Sequence, residues 1–486
     1  MASEIRVNKI ENRSGLGTVT FADTGVDLAG IVTATTFSGS GASLTNIPAA
    51  NVTGTLPAIS GANLTNLPAG NLTGTLPAIS AANLTNVPAA NITGTLPAID
   101  GSALTGIGGT DFIHAEQINV SGITTSQAFV PTTGQLSHRN LTINGAMRIA
   151  QRGTSSTTSA GHQTVDRFQV NHFGVSASPS QSQVDVSSGT TPYTLGFRKA
   201  YKITNANQGS AISDALIRFL YQFEAQDIAN SGWNYLSSSS NITLSFWVKS
   251  SVAQNFYGRL VTADGTSQNY PFETGSLSAD TWTKVTKTIP GNSNLQFDNN
   301  NGEGLVLEIV AWYGTDYTSS GVSLNSWAAY ASGTRTPDNT STWFTTNNAT
   351  FEITGVQLEV GPVATPFEHL SEGEDLRRCL RYYFKIGYGT QYVNVAIGIM
   401  ANTTQIRVNQ RWPVPMRAAP TLTQSGLDVD SETAAAPAIT GFGNQYSDRF
   451  AGRIQMNCNT ASFGQGQVAQ VYTGNTTSYL AGDAEL

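Results

Sequence analysis

Charge is scarce in this 486-residue chain: Asp, Glu, Lys and Arg make up 12% of it, about half of the roughly 25% usual in a soluble domain. The balance is mildly acidic, −7 at pH 7, and offers no basic face for phosphates, so no nucleic-acid partner is expected. No run of about eighteen apolar residues occurs, which excludes a membrane-inserted helix. MASEIRVNKIENRSG lacks the apolar centre of a secretory signal, so folding in a cytoplasm is expected. Two cysteines, Cys379 and Cys458, are too few for a disulfide framework and form no zinc pattern. The five histidines, His114, His138, His162, His172 and His369, show no His-x-His or His-Glu-x-x-His spacing, and no phosphate-cradling glycine loop is present. No metal or cofactor is expected.

Between Asp27 and Asp100 charge vanishes, and Phe37 is the only aromatic. In its place stands a twenty-residue repeat: GASLTNIPAANVTGTLPAIS from Gly41, then GANLTNLPAGNLTGTLPAIS and AANLTNVPAANITGTLPAID, with a decaying start GSALTGIGG. Pro48 and Pro57, Pro68 and Pro77, Pro88 and Pro97 punctuate it. Each removes a backbone donor and biases its predecessor towards extended geometry, leaving only short extended pieces. The aliphatic positions (Leu44, Ile47, Val52, Leu56, Ile59 and their equivalents) are too few to enclose a core, so the units must stack on neighbours. An intertwined shaft of several chains, most often three, satisfies this. A monomeric three-coil solenoid is the alternative, with a very small core and open edges. The sequons at Asn51, Asn63, Asn71, Asn83 and Asn91 follow from the same Thr-rich composition.

Residues 1–38 alternate in strand fashion (Ile5, Val7; Val19, Phe21) with turn signals at Ser14-Gly15 and Thr24-Gly25, and read as an attachment segment. The repeat shaft covers 39–109 and a junction 110–136. Tryptophan first occurs at Trp233. Over 137–370, aromatics and strand patterns recur in YKITN, NITLSFWVKSS, TWTKVTKTI, GLVLEIVAWYG and TFEITGVQLEV, with Gly/Asn/Ser/Asp turns between them. They predict an antiparallel two-sheet sandwich or jelly roll. In NITLSFWVKSS, alternation turns Ile242, Leu244, Phe246 and Val248 to the core and Trp247 to the other face. Ser371-Glu372-Gly373-Glu374 is a capping-box pattern followed by Leu376, Leu380 and Tyr383 at helical spacing, a connecting helix over 371–384. Strands return in 385–486, a smaller distal β domain with loops at Pro413, Pro415 and Pro420. The predicted class is all-β: an elongated, trimeric fibre with a jelly-roll head.

Carboxylates are scattered. Glu372-Glu374-Asp375 reads as helix-start charge and Asp428-Asp430-Glu432 as a polar loop, so no acid–base pair is identified and no enzyme is expected. Sugars are held by aromatic faces with neighbouring amides and carboxylates. Trp312, Tyr313, Tyr317, Trp327, Tyr330 and Trp343, with Asp316, Asn325 and Asp338 nearby, form one candidate receptor-binding stretch. Core is the favoured reading for any one of these rings. The distal loop GFGNQYSDRF is the other, with Phe442, Asn444, Tyr446, Asp448 and Arg449.

The opening EIRVNKIENRSGLGTVTF with GIVTATTFSGSGASLTNI resembles the N-terminal pattern of structural proteins from bacteriophages of cyanobacteria. NITLSFWVKSS, WTKVTKTIPG, TFEITGVQLEVGPVATPFE, the helix with CLRYY and the close DAEL resemble phage tail-fibre receptor-binding regions. The resemblance implies a homotrimeric fibre in the virion tail. Its N-terminus would be held by tail or baseplate proteins and its head would attach to a host surface glycan. Three other functions fit the chain: a glycan-degrading tailspike-like enzyme, a structural virion spacer and a bacterial surface adhesin, the last opposed by the missing export signal.

Overall fold

The computed structural model describes residues 137–486 except 431–435 and 462, with 9–11, 18–23, 25–36, 38–42, 44–48, 50 and 53. The expected strand at Ile5 and Val7, nearly all of the repeat shaft and the 110–136 junction lie outside the described residues. Two units are separated near residue 120. In the first, β1 (Lys9–Glu11), β2 (Thr18–Ala22) and β3 (Gly25–Ala29) form an antiparallel sheet in that order, Phe21 opposite Val26. Beyond it, Leu44 and Ile47 of the first repeat are exposed.

The second unit begins with an antiparallel sandwich. Its strands are β4 (Phe168–Phe173), β5 (Ser180–Asp185), β6 (Lys199–Thr204), β7 (Leu216–Glu224), β8 (Asn241–Ser250) and β9 (Asn255–Thr262), then β10 (Gln268–Ser276), β11 (Thr283–Pro290), β12 (Glu303–Tyr313), β13 (Ala328–Ala329) and β14 (Thr350–Val360). One sheet has the order β13-β10-β9-β12-β7-β4, the other β11-β8-β14-β6-β5. The alternation expected for β8 holds: Ile242, Leu244, Phe246 and Val248 are fully buried. They meet Phe219, Leu260, Phe272 and Leu307 from the facing sheet in one core. Each such side chain contributes about 1.5–3 kcal/mol on leaving water. Trp247 does face away from that core, but a small satellite cluster of Phe197, Phe367, Trp282 and Tyr193 covers it. β14 carries a bulge at Gly355, whose φ of +63° suits glycine and whose missing Cβ leaves room for the Phe197 ring.

Ser371 caps the helix Glu372–Cys379, its hydroxyl accepting from the Glu374 amide at 3.3 Å. The helix is shorter than its pattern suggests. Tyr383, which kept helical spacing, instead opens β15 (Tyr383–Ile386) because it pairs with the C-terminal strand. The distal strands are β16 (Asn394–Asn402), β17 (Gln405–Arg411), β18 (Thr421–Ser425), β19 (Leu427–Asp430), β20 (Ile439–Ser447), β21 (Ala451–Cys458), β22 (Val468–Thr473) and β23 (Tyr479–Asp483). They form sheets β15-β23-β18 and β19-β22-β16-β17-β21-β20 around a second core that includes Phe384, Met400, Ile406, Trp412 and Met456.

Two sequence expectations change here. GFGNQYSDRF is not a loop: most of it is β20, paired with β21 through two bulges, and its glycines and amides hide the alternation. Asp428 and Asp430 likewise lie on β19, opposite Tyr472 and Gln470, with Glu432 outside the described residues.

Polar contacts tie the distal part to the sandwich. Glu224 at the end of β7 accepts Arg381 through both oxygens, at 2.7 and 2.6 Å, and the Tyr382 hydroxyl at 2.6 Å. Arg417 donates to the Asn301 carbonyl at 2.9 Å. Glu485 pairs with Arg167 and reaches Arg152 at 3.5 Å.

Candidate functional site

The face of the six-stranded sheet turned away from the core carries charge where the sequence reads as apolar strand. Glu308 sits in the middle of GLVLEIVAWY, and the β12 alternation that sends Leu307 and Ile309 to the core sends it outward. β9 and β7 flank β12, so Arg259 stands directly opposite Glu308 and Arg218 lies two residues off register. Arg259 donates to both carboxylate oxygens at 2.7 Å, Arg218 donates at 2.5 Å, and the Tyr313 hydroxyl donates as well. Burial would raise the Glu308 carboxyl, but Arg259 and Arg218 outweigh it and hold it well below the usual carboxylate range. Glu308 is thus an acceptor with its proton removed.

The chain after β12 folds back across this face. Thr318 bridges Thr336, its hydroxyl donating to Asp338 at 2.7 Å. Asn269 of β10 donates to the Arg335 carbonyl at 3.0 Å and accepts from Arg259 at 3.2 Å. This brings three tyrosines around two guanidiniums. Arg335 lies 4.3 Å from the Tyr317 ring, 5.6 Å from that of Tyr313 and 5.9 Å from that of Tyr330, and Arg259 lies 5.3 Å from Tyr330. Tyr317 is half-buried, whereas Tyr330 is exposed. The result is the exposed Tyr330 ring, the half-buried Arg335 guanidinium, whose Nε and Nη2 donate to Ser332, and the exposed Asp338 carboxylate beside Thr318, above the buried Arg259–Glu308 pair.

The tryptophans of the first candidate stretch take other places. Trp343 is fully buried and donates to the Thr350 carbonyl at 3.0 Å; Trp312 is buried with its ring 4.7 Å from Phe344. Trp327 is half-buried, 5.1 Å from Tyr270, and donates to the Pro290 carbonyl at 2.7 Å. These three are packing residues. Asn325 is a turn residue with φ of 58°.

In the distal candidate group, Phe442 packs against the second core and Arg449 donates to the Met416 carbonyl at 2.9 Å. Asp448 accepts the amides of Phe450 and Ala451, which hold its carboxyl below the ordinary value. Tyr446 stands exposed with the Arg453 guanidinium 4.4 Å from its ring. Arg218, Arg259, Glu308, Arg335 and Arg453 were not singled out by sequence. The one available signal was a charged residue inside an apolar strand, as with Glu308 and Arg259. Among the described residues no three His, Cys, Asp or Glu side chains are grouped to hold a metal.

No protein-family model matches the sequence, and no curated protein matches it. Solved structures give loose superpositions. The enzymatically active domain of tailspike protein 4 from bacteriophage CBA120 aligns at 9% identity and a TM-score of 0.25, over 46% of this chain and 21% of that one. A CBM4 module aligns at 12% identity and 0.23, over 45% and 97%. The tandem CBM22 modules of Paenibacillus barcinonensis Xyn10C align at 8% and 0.22, over 73% and 98%. At such TM-scores these likenesses carry no weight for ligand or activity.

Proposed function

We propose that this protein is a homotrimeric virion tail fibre whose head binds a host surface glycan without cleaving it. The observation that carries the reading is the Tyr317–Tyr330–Arg335 patch. An exposed ring beside guanidinium and carboxylate groups is the chemistry that stacks on the apolar face of a sugar and bonds its hydroxyls. The N-terminal segment would hold tail or baseplate proteins, as the phage resemblance implies. Trimerisation is supported by the repeat, whose Leu44 and Ile47 stay exposed in the single chain. Three heads would convert weak single-site contacts into avidity.

The test is binding of the full chain to host cells and to their purified surface polysaccharide. Tyr330→Ala should weaken binding without lowering the melting temperature, and Tyr317→Ala should weaken it with some loss of stability, because its half-buried ring packs against Tyr313. Unchanged binding in both would remove the patch from the reading, and release of reducing ends by the protein would replace attachment with degradation.

A further inference from the structure

The outer face of the distal six-stranded sheet is graded in charge. On β19 at one edge, Asp428 and Asp430 stand opposite Tyr472 and Gln470 of β22. In the middle, Ile397 and Ile399 of β16 pair with Gln470 and Val468. Towards the other edge, Arg407 of β17 pairs with Ile399, and Arg453 of β21 lies between Asn409 and Tyr446. The middle is apolar and uncovered: Ile397 is 64% exposed, Ile399 55% and Val468 63%. A groove of about 650 Å³ runs along it, lined by these three with Arg407, Asn409 and Arg453 and by no carboxylate.

Exposed β-branched side chains placed contiguously at the centre of a sheet are what a protein interface buries, whereas sugar platforms are built from flat rings. We infer that this face is covered by a neighbouring copy of the same chain, the Arg407/Arg453 edge of one copy meeting the Asp428/Asp430 edge of the next over the Ile397–Ile399–Val468 stripe. Complementary charge at the rim sets the register, and the apolar stripe supplies the affinity. The contact joins two different edges, so it is heterologous and closes as a ring of three. It rests on the trimeric reading above only for that closure.

The test uses the full chain. Asp430 and Arg453 are four inter-strand steps apart in one copy, about 19 Å, too far for a short bismaleimide linker. The native Cys379 and Cys458 are both buried. The D430C/R453C double variant should therefore cross-link into covalent dimers and trimers, and neither single variant should. In a second measurement, Ile399→Cys in the otherwise native chain should be protected from maleimide. R453E should abolish that protection, and adding D430R should restore it. A trimeric mass with no cross-linked product and a freely reactive Ile399→Cys overturns the inference and leaves the fibre reading standing; a monomeric mass overturns both. Cross-linking of the single variants would replace the edge-to-edge contact with a two-fold one. Protection that develops only on adding polygalacturonate would give the face to an acidic glycan instead.

Discussion

Glu485 is ion-paired with Arg167, 318 positions earlier in the chain. Arg167 is 1% exposed, its guanidinium lying 3.4 Å from the Tyr382 ring. Arg152 comes within 3.5 Å of the same carboxylate and 2.9 Å of Asp483. The segment holding Asp483 and Glu485 is thereby fastened to the sandwich by charge in a buried setting.

That pairing predicts an acid-sensitive step. Burial alone would raise the Glu485 carboxyl, but Arg167, His162 and Arg152 hold it at about 2, below its ordinary 4.5. A depressed carboxyl stabilises the fold above its unfolded value and loses that contribution as pH falls through its folded one. Glu485→Gln, which leaves Arg167 buried without its counter-charge, should cost about 3–5 kcal/mol at pH 7. The deficit should shrink between pH 4.5 and about 2, read by urea unfolding across that range. Asp166, pushed up to about 6 by burial with the Glu485 charge adding to it, acts in the opposite sense, so Glu485→Gln should also lower the Asp166 carboxyl, and the variant reads the two groups together.

Glu308→Ala should be among the most damaging single substitutions in the sandwich. It strands Arg259 and Arg218, both bonded to it, on a largely covered face. A loss of about 3–5 kcal/mol is expected. Replacing Glu308, Arg259 and Arg218 together by apolar residues of similar volume should recover much of it, measured by chemical denaturation.

Tyrosine and tryptophan substitutions should separate binding from folding. Trp343→Ala empties a fully buried site and should cost about 3–5 kcal/mol. Tyr330→Ala should change unfolding by less than roughly 0.5 kcal/mol, as a surface substitution does, while lowering polysaccharide binding. Paired melts and binding isotherms check both.

Ser371→Ala removes the side-chain acceptor for the Glu374 amide. A loss of about 1 kcal/mol is expected, and Ser371→Asp should retain most of the cap.

Light scattering of the full chain should give three times the monomer mass. A fragment of residues 137–486 should keep its β circular dichroism, because the Trp-rich core lies wholly within it.

Local periodicity determined a good deal. Alternation in NITLSFWVKSS named the buried face of β8 residue by residue, and TFEITGVQLEV runs over the same residues as β14. The Ser371 cap was legible too, because a hydroxyl, three residues and an amide are all it requires. Where periodicity failed, a partner strand was responsible: pairing with β23 took Tyr383 out of the helix, and bulges against β21 hid β20 among its glycines. The candidate patch shows the division most sharply. Sequence could name Tyr317, Tyr330, Trp312, Trp327 and Trp343 as rings, yet five nearby aromatics look alike along a chain. Only sheet order, which sets β7 and β9 on either side of β12, brings Arg218 and Arg259 to Glu308. Only the fold-back after Tyr313 separates the exposed Tyr330 from the buried Trp312 and Trp343. Side-chain direction follows from local backbone geometry, but which strands become neighbours depends on contacts far apart in sequence, and those are settled when the whole core closes.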